Sequence, residues 1–138
     1  MKTGLFLTVL IDTSFFLTML KGHRNFQQEI RSVASGPVSL ATTDGVIMEL
    51  QRLARRGTFV TSGLAEVALE TLGKEGIRIV NWSPEVPNVD TSIVAAALAG
   101  KGEVAVATTD RRLRDTLFKH GLKVIFPRGR HRLIVSKA

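Results

Sequence analysis

The chain has 138 residues, 44% hydrophobic and 22% charged, with no cysteine and a formal net charge of +7. Such a composition excludes an intrinsically disordered chain, a disulfide framework, thiolate metal sites and cysteine nucleophiles. His23, His120 and His131 show neither HxxxH nor HxH spacing, so any metal would be held by oxygen, which suits hard cations such as magnesium or manganese.

The length fits one domain spanning residues 1–138. Residues 1–20 carry Lys2 and two apolar runs, Leu5 to Ile11 and Phe15 to Leu20, an arrangement that imitates a signal peptide or membrane anchor. Asp12 interrupts them, and a carboxylate at the centre of a spanning helix costs about 2.5 to 3.5 kcal/mol. No small-residue cleavage site follows, so the segment is expected to be part of a cytoplasmic, membrane-free fold.

Leu5 to Ile11 lacks polar alternation, as expected of a parallel strand covered on both faces, and Thr13 and Ser14 can cap a helix starting near Phe15. A second helix is expected over Phe26 to Ala34, broken by Gly36-Pro37, and a short strand over Val38 to Thr42. From Thr43 the apolar residues Val46, Ile47, Leu50, Leu53 and Ala54 fall on one helical arc that Gly57 ends. Another helix is expected from Ser62 to Lys74, then a strand from Ile77 to Trp82 and a loop from Ser83 to Asn88. Asn88 can cap a helix over Val89 to Ala99, closed by Gly100 and Gly102. Glu103 to Thr109 reads as a second continuous apolar strand, Arg111 to His120 as a helix stopped by Gly121, and Leu122 to Phe126 as a last core strand. The basic segment Arg128-Gly-Arg-His-Arg leads either into an edge strand, Leu133 to Val135, through a hairpin, or into a frayed tail. Strands alternating with helices predict a three-layer α/β fold: a mostly parallel sheet with helices on both faces.

In open parallel sheets ligands bind beyond the carboxyl ends of the strands. Asp12 follows one apolar strand directly and Asp110 follows another, although each is also a natural helix N-cap. Asp90 stands in register with Ile93, Val94, Ala97 and Leu98, which predicts a buried-face carboxylate that must be paired, hydrogen-bonded or metal-bound, the alternative being a cap on its own first turn. Glu49 lies at the margin of its helix's apolar arc, where an i,i+3 pair with Arg52 is the simpler explanation. Glu66, Glu70, Glu75 and Asp115 fall on polar faces or beside turns. A cluster of carboxylates without cations repels itself, so a converging set normally holds a metal, and an oxygen-ligated divalent ion can activate water for phosphoryl chemistry.

From Arg111 to Ala138 there are nine Lys or Arg against a single acid, Asp115. That gathering favours a polyanionic partner, nucleic acid first, over a merely solvated basic surface. Arg111, Arg112, Arg128 and Arg130 are the candidate backbone contacts.

The segments VLIDTSFFL with Asp12, VIMELQRLA with Glu49, VPNVDTSIVAAAL with Asp90 and VAVATTDRRLRDTLFKHGLKVIF with Asp110 together resemble the PIN-domain ribonucleases over nearly the whole chain. The last segment carries most of the resemblance, with Thr108 and Asp110 in a strand-ending Thr-x-Asp followed by an arginine-rich helix, Gly and a final strand. The resemblance implies a five-stranded parallel sheet and endonucleolytic hydrolysis of RNA with magnesium or manganese, leaving a 5′-phosphate. Asp12, Asp90 and Asp110 would be catalytic metal ligands, Glu49 a ligand directly or through water, and Ser14 and Thr108 would orient carboxylates. The VDTSI and TTDRRLR segments look closer to PIN proteins of ribosomal RNA processing, which implies a ribosome-assembly partner. Toxins of toxin–antitoxin pairs share the family, and from them come the expectations of a homodimer and an antitoxin. The ribosomal subgroup often carries two successive acids where this chain has Asp90-Thr91, a departure that bears on a second metal site. A haloacid-dehalogenase phosphatase would need an acid at Ser14, and a receiver domain one at Trp82-Ser83. The reading from another class is a catalytically silent PIN fold that binds RNA or protein.

Overall fold

The computed structural model describes residues 7–34, 36–80, 89–100, 103–130 and 132–137. Along them run β1 (Leu7–Ile11), α1 (Thr13–Lys21), α2 (Phe26–Val33), β2 (Val38–Thr43), α3 (Asp44–Arg56), α4 (Phe59–Lys74), β3 (Arg78–Val80), α5 (Val89–Ala99), β4 (Val104–Ala107), α6 (Arg111–Lys119), β5 (Lys123–Arg128) and β6 (Arg132–Lys137). The expected Ser83 to Asn88 loop, the Asn88 cap, Gly102, and the outer ends of the first and third strands at 5–6 and 81–82 lie outside the described residues.

Local chemistry explains most boundaries. Thr43 caps α3 by accepting the Val46 amide, and Gly57 ends that helix. Helix α4 begins at Phe59 rather than near Ser62 because Thr58 accepts the Thr61 amide and serves as its cap. Gly121 adopts φ 71°, the left-handed conformation that closes α6 at least cost in a residue without Cβ. Thr13 and Ser14 do not cap α1: Asp12 is its N-cap residue, with no side-chain capping bond to the helix.

The sheet has six strands in the order β3-β2-β1-β4-β5-β6, one more than the resemblance implied. Pairings are parallel from β3 through to β5. The basic tail forms a hairpin: Gly129 turns at φ 68°, and β6 pairs antiparallel with β5 from Arg128↔Arg132 to Lys123↔Lys137. Arg24, half-buried between α1 and α2, is paired with Glu29 and donates to the carbonyls of Gly129 at 3.4 Å and Arg132 at 3.2 Å, tying the hairpin to the body.

Consecutive residues Val9, Leu10 and Ile11, and all of β4, are buried, so both faces of the central strands are covered. Phe15, Phe16, Met19, Phe26 and Ile30 fill part of that core, with the Phe16 and Phe26 rings edge to face at 5.5 Å. Strand β1 pairs with β2 on one side and β4 on the other, so the chain's direction of travel across the sheet reverses between β1 and β4. A crevice at their carboxyl ends is the physical consequence.

Candidate active site

Asp12 closes β1 at that crevice and is only 4% exposed. Its amide donates to the Ala107 carbonyl at 3.0 Å, which sets it level with Thr108 at the end of β4. The hydroxyls of Ser14 and Thr108 each donate to Asp12 Oδ2 at 2.8 Å. Each hydroxyl has one proton and spends it on that oxygen, so their own 3.1 Å approach is not a third bond. They are held in turn as acceptors, Ser14 from the Thr109 amide at 3.1 Å and Thr108 from the Asp110 amide at 3.0 Å. Burial pushes the Asp12 carboxyl above the ordinary carboxylate range, against the pull of bonds from Ser14, Thr108 and the Thr13 amide, while the Glu49 charge pushes it further up.

Glu49, half-buried on α3, accepts from Thr13 Oγ1 at 2.6 Å. The Arg52 guanidinium approaches its other oxygen only to 3.8 Å and is itself exposed, so this pair is a loose surface contact worth a few tenths of a kcal/mol. Asp110 fulfils the capping role open to it: Oδ1 accepts from the amides of Arg112 at 2.9 Å and Leu113 at 3.3 Å. Among the described residues its Oδ2 has no hydrogen-bond partner.

Asp90 departs from the expectation. It is exposed at the first turn of α5 rather than carried on a buried face; Ser92, Ile93, Ala96 and Ala97 are the buried positions, while Val94 is half-buried and Leu98 exposed. Its carboxyl is nonetheless raised, first by partial burial and then by the negative charges of Asp12, Asp110 and Glu49, with Arg112 acting in the opposite direction. The side chain meets water on one side while the cleft wall strips water from the other. Glu49, Asp90, Asp110 and Arg112 line one open cleft of about 760 Å³, whose remaining wall between α5 and α6 includes Val94, Ala95, Leu98 and Leu113.

The structure thus brings all four candidate acids to one crevice, within electrostatic reach of one another. It does not bring them into ligating contact: among the described residues no group of three or more acids or histidines is set tightly enough to grip an ion. Among the described residues no Lys or Arg forms an ion pair with Asp12, Asp90 or Asp110, and an all-oxygen set of this kind fits a hard divalent cation.

Ser14 and Thr108 both donate to Asp12. Thr13, read from sequence as a cap, turns out to hold Glu49, and Arg24 was not singled out at all. A hydroxyl immediately after a strand-ending Asp was the available signal for Thr13. Arg111, Arg112, Arg128 and Arg130 are all exposed. Arg112 lines the cleft, and because β5 runs parallel to β4, Arg128 and Arg130 lie at the same carboxyl edge of the sheet. Glu66, Glu70, Glu75 and Asp115 are exposed, away from this cluster's contacts. No helix among the described residues is long and apolar enough to cross a membrane.

No protein-family model matches the chain, and no curated protein matches it. Solved structures do. The chain is similar to the PIN domain endonuclease Utp24 with a TM-score of 0.79 at 20% identity, over 95% of this chain and 92% of that one. It is also similar to PAE2754 from Pyrobaculum aerophilum, TM-score 0.51 at 17% identity, over 80% of this chain and 86% of that one. At these identities the likeness establishes a common fold.

Proposed function

On the frame of that PIN-domain fold, we propose that this chain is a divalent-metal-dependent endoribonuclease that hydrolyses RNA phosphodiester bonds. The carrying observation is the nearly buried Asp12 carboxylate, set against Glu49, Asp90 and Asp110, with no Lys or Arg ion-paired to Asp12, Asp90 or Asp110 among the described residues. Such a group is costly as it stands. Asp12, Glu49, Asp90 and Asp110 would hold magnesium or manganese, which when bound supplies Lewis acidity and an activated water for attack on phosphorus.

The chain's own groups do the rest. Ser14 and Thr108 pin one oxygen of Asp12, so its carboxylate is fixed before substrate arrives; Thr13 does the same for Glu49. Asp110 is kept in place by the α6 amides it caps. Arg112 in the cleft, with Arg111, Arg128 and Arg130 along the same edge, binds backbone phosphates, and Arg24 holds the hairpin that carries the last pair. The whole of 1–138 acts as one unit in the cytoplasm. Ribosomal RNA is the first substrate to try, on the sequence resemblance to PIN proteins of that pathway.

The test compares the parent with Asp12→Asn and Asp110→Asn for manganese-stimulated cleavage of labelled structured ribosomal and transfer RNAs. Asn caps a helix as well as Asp does, so Asp110→Asn keeps its fold. Both variants are expected to lose cleavage while their circular dichroism stays native. A parent that binds RNA but never cleaves it with added metal would instead establish a silent binding module.

A further inference from the structure

Phe59 is 95% exposed, and its neighbour Val60 is 57% exposed. An aromatic ring left in water forgoes the burial that stabilises a fold, so packing does not explain it. Nor is the corner that carries it loose. The Gly57 amide donates to the Leu53 carbonyl at 2.8 Å, the Ser62 amide to the Thr58 carbonyl at 2.7 Å, and the Ser62 hydroxyl to the Ala54 carbonyl at 2.6 Å. A Cβ at Gly57 would stand 2.6 Å from the Leu53 oxygen of the preceding α3 turn, so glycine lets the chain leave α3 in this tight turn. The ring projects from a hydrogen-bonded corner.

The same corner is cationic. Arg52, Arg55 and Arg56 are exposed on the last turns of α3, and no acid occurs between Arg52 and Ala65. The rise along α3 from Glu49 in the cleft to Arg56 is about 10 Å, short compared with a bound nucleic-acid strand. We infer that the α3–α4 corner is a single-stranded RNA contact, in which Phe59 stacks on an unpaired base while Arg55 and Arg56 take adjacent phosphates. This rests on the ribonuclease reading for the placement of RNA and adds to it a base-stacking contact outside the acid cleft. A ring beside arginines satisfies both halves of a nucleotide. A second copy of the chain docked here about a two-fold axis would instead bring arginines against arginines.

The test uses the full chain in EDTA, so that nothing is cut, with fluorescence anisotropy on a labelled oligouridylate and on a labelled RNA duplex. Phe59→Ala is expected to weaken oligouridylate binding about tenfold, or ~1.4 kcal/mol, with duplex binding unchanged. Phe59→Trp is expected to hold the parental affinity, with its indole emission quenched by the RNA. Removing Arg55 and Arg56 together is expected to flatten the salt dependence by about 0.7 per lost phosphate contact. Parental oligouridylate affinity in Phe59→Ala would overturn the inference, as would a parental dimer in sedimentation that Phe59→Ala dissociates. Should the parent fail to cleave with metal while Phe59→Ala still loses binding, the catalytic reading fails and this contact stands.

Discussion

Replacing Thr108 with Val isolates what the hydroxyl at the centre of the site contributes. Thr108 is fully buried, and Val has nearly its shape, so packing is preserved. The hydroxyl is lost from Asp12 Oδ2 at 2.8 Å and from the Asp110 amide at 3.0 Å. A bond to an ionised group is worth about 1.5 to 3 kcal/mol, and an amide left without its acceptor costs about 1 to 3 kcal/mol. The pair shares atoms and is not additive, which puts the loss near 3 kcal/mol where Asp12 is ionised. For a domain of this size that lowers Tm by about 10 °C. The loss also depends on pH. Burial raises the Asp12 carboxyl from its ordinary 3.8, and the Thr108 bond pulls it back. Its contribution is therefore present above the Asp12 pKa and disappears as pH falls through it. Urea unfolding of parent and Thr108→Val in EDTA across acid to neutral pH should show the difference shrinking toward the single amide bond, about 1 kcal/mol. A difference that is constant with pH would refute this account of Asp12.

Asp12 and Asp90 both have raised carboxyls, so their net contribution to stability is fully present below 3.8 and is lost as pH rises through the folded values. Relative to Asp12→Asn, the metal-free parent should lose stability from acid toward neutral pH, and manganese should raise Tm more at neutral than at acid pH; equal shifts at both would remove the cation site. Phe16 is wholly buried against Phe26, and Phe16→Ala should cost about 3 to 5 kcal/mol in urea unfolding. Gly57→Ala should cost about 1 to 3 kcal/mol, since the atom it meets is backbone. Gly63→Ala, on α4 with nothing within 4 Å, should stabilise by about 0.5 to 1 kcal/mol, and an equal effect at both glycines would contradict the geometry of the corner.

The amino-acid order by itself determined the elements and the location of two acids. Unbroken apolar runs in β1 and β4 announced strands covered on both faces, Thr43 and Gly121 marked helix ends, and Asp12 and Asp110 stood where such strands stop. These signals are local, because strand burial and helix capping act over a few residues. The tail's choice between hairpin and fray, and with it the sixth strand, depended on whether β5 offered an edge for pairing. The face on which Asp90 lies was not legible, since α5 is apolar at nearly every position and its periodicity selects no side. Only the tertiary structure decided which groups touch: Thr13 reaches Glu49 across 36 residues and Thr108 reaches Asp12 across 96. The second contact follows from β1 lying beside β4 and the first from β1 lying beside β2, which brings α1 against α3; these adjacencies are set by the packing of the whole sheet, which no short stretch of chain encodes.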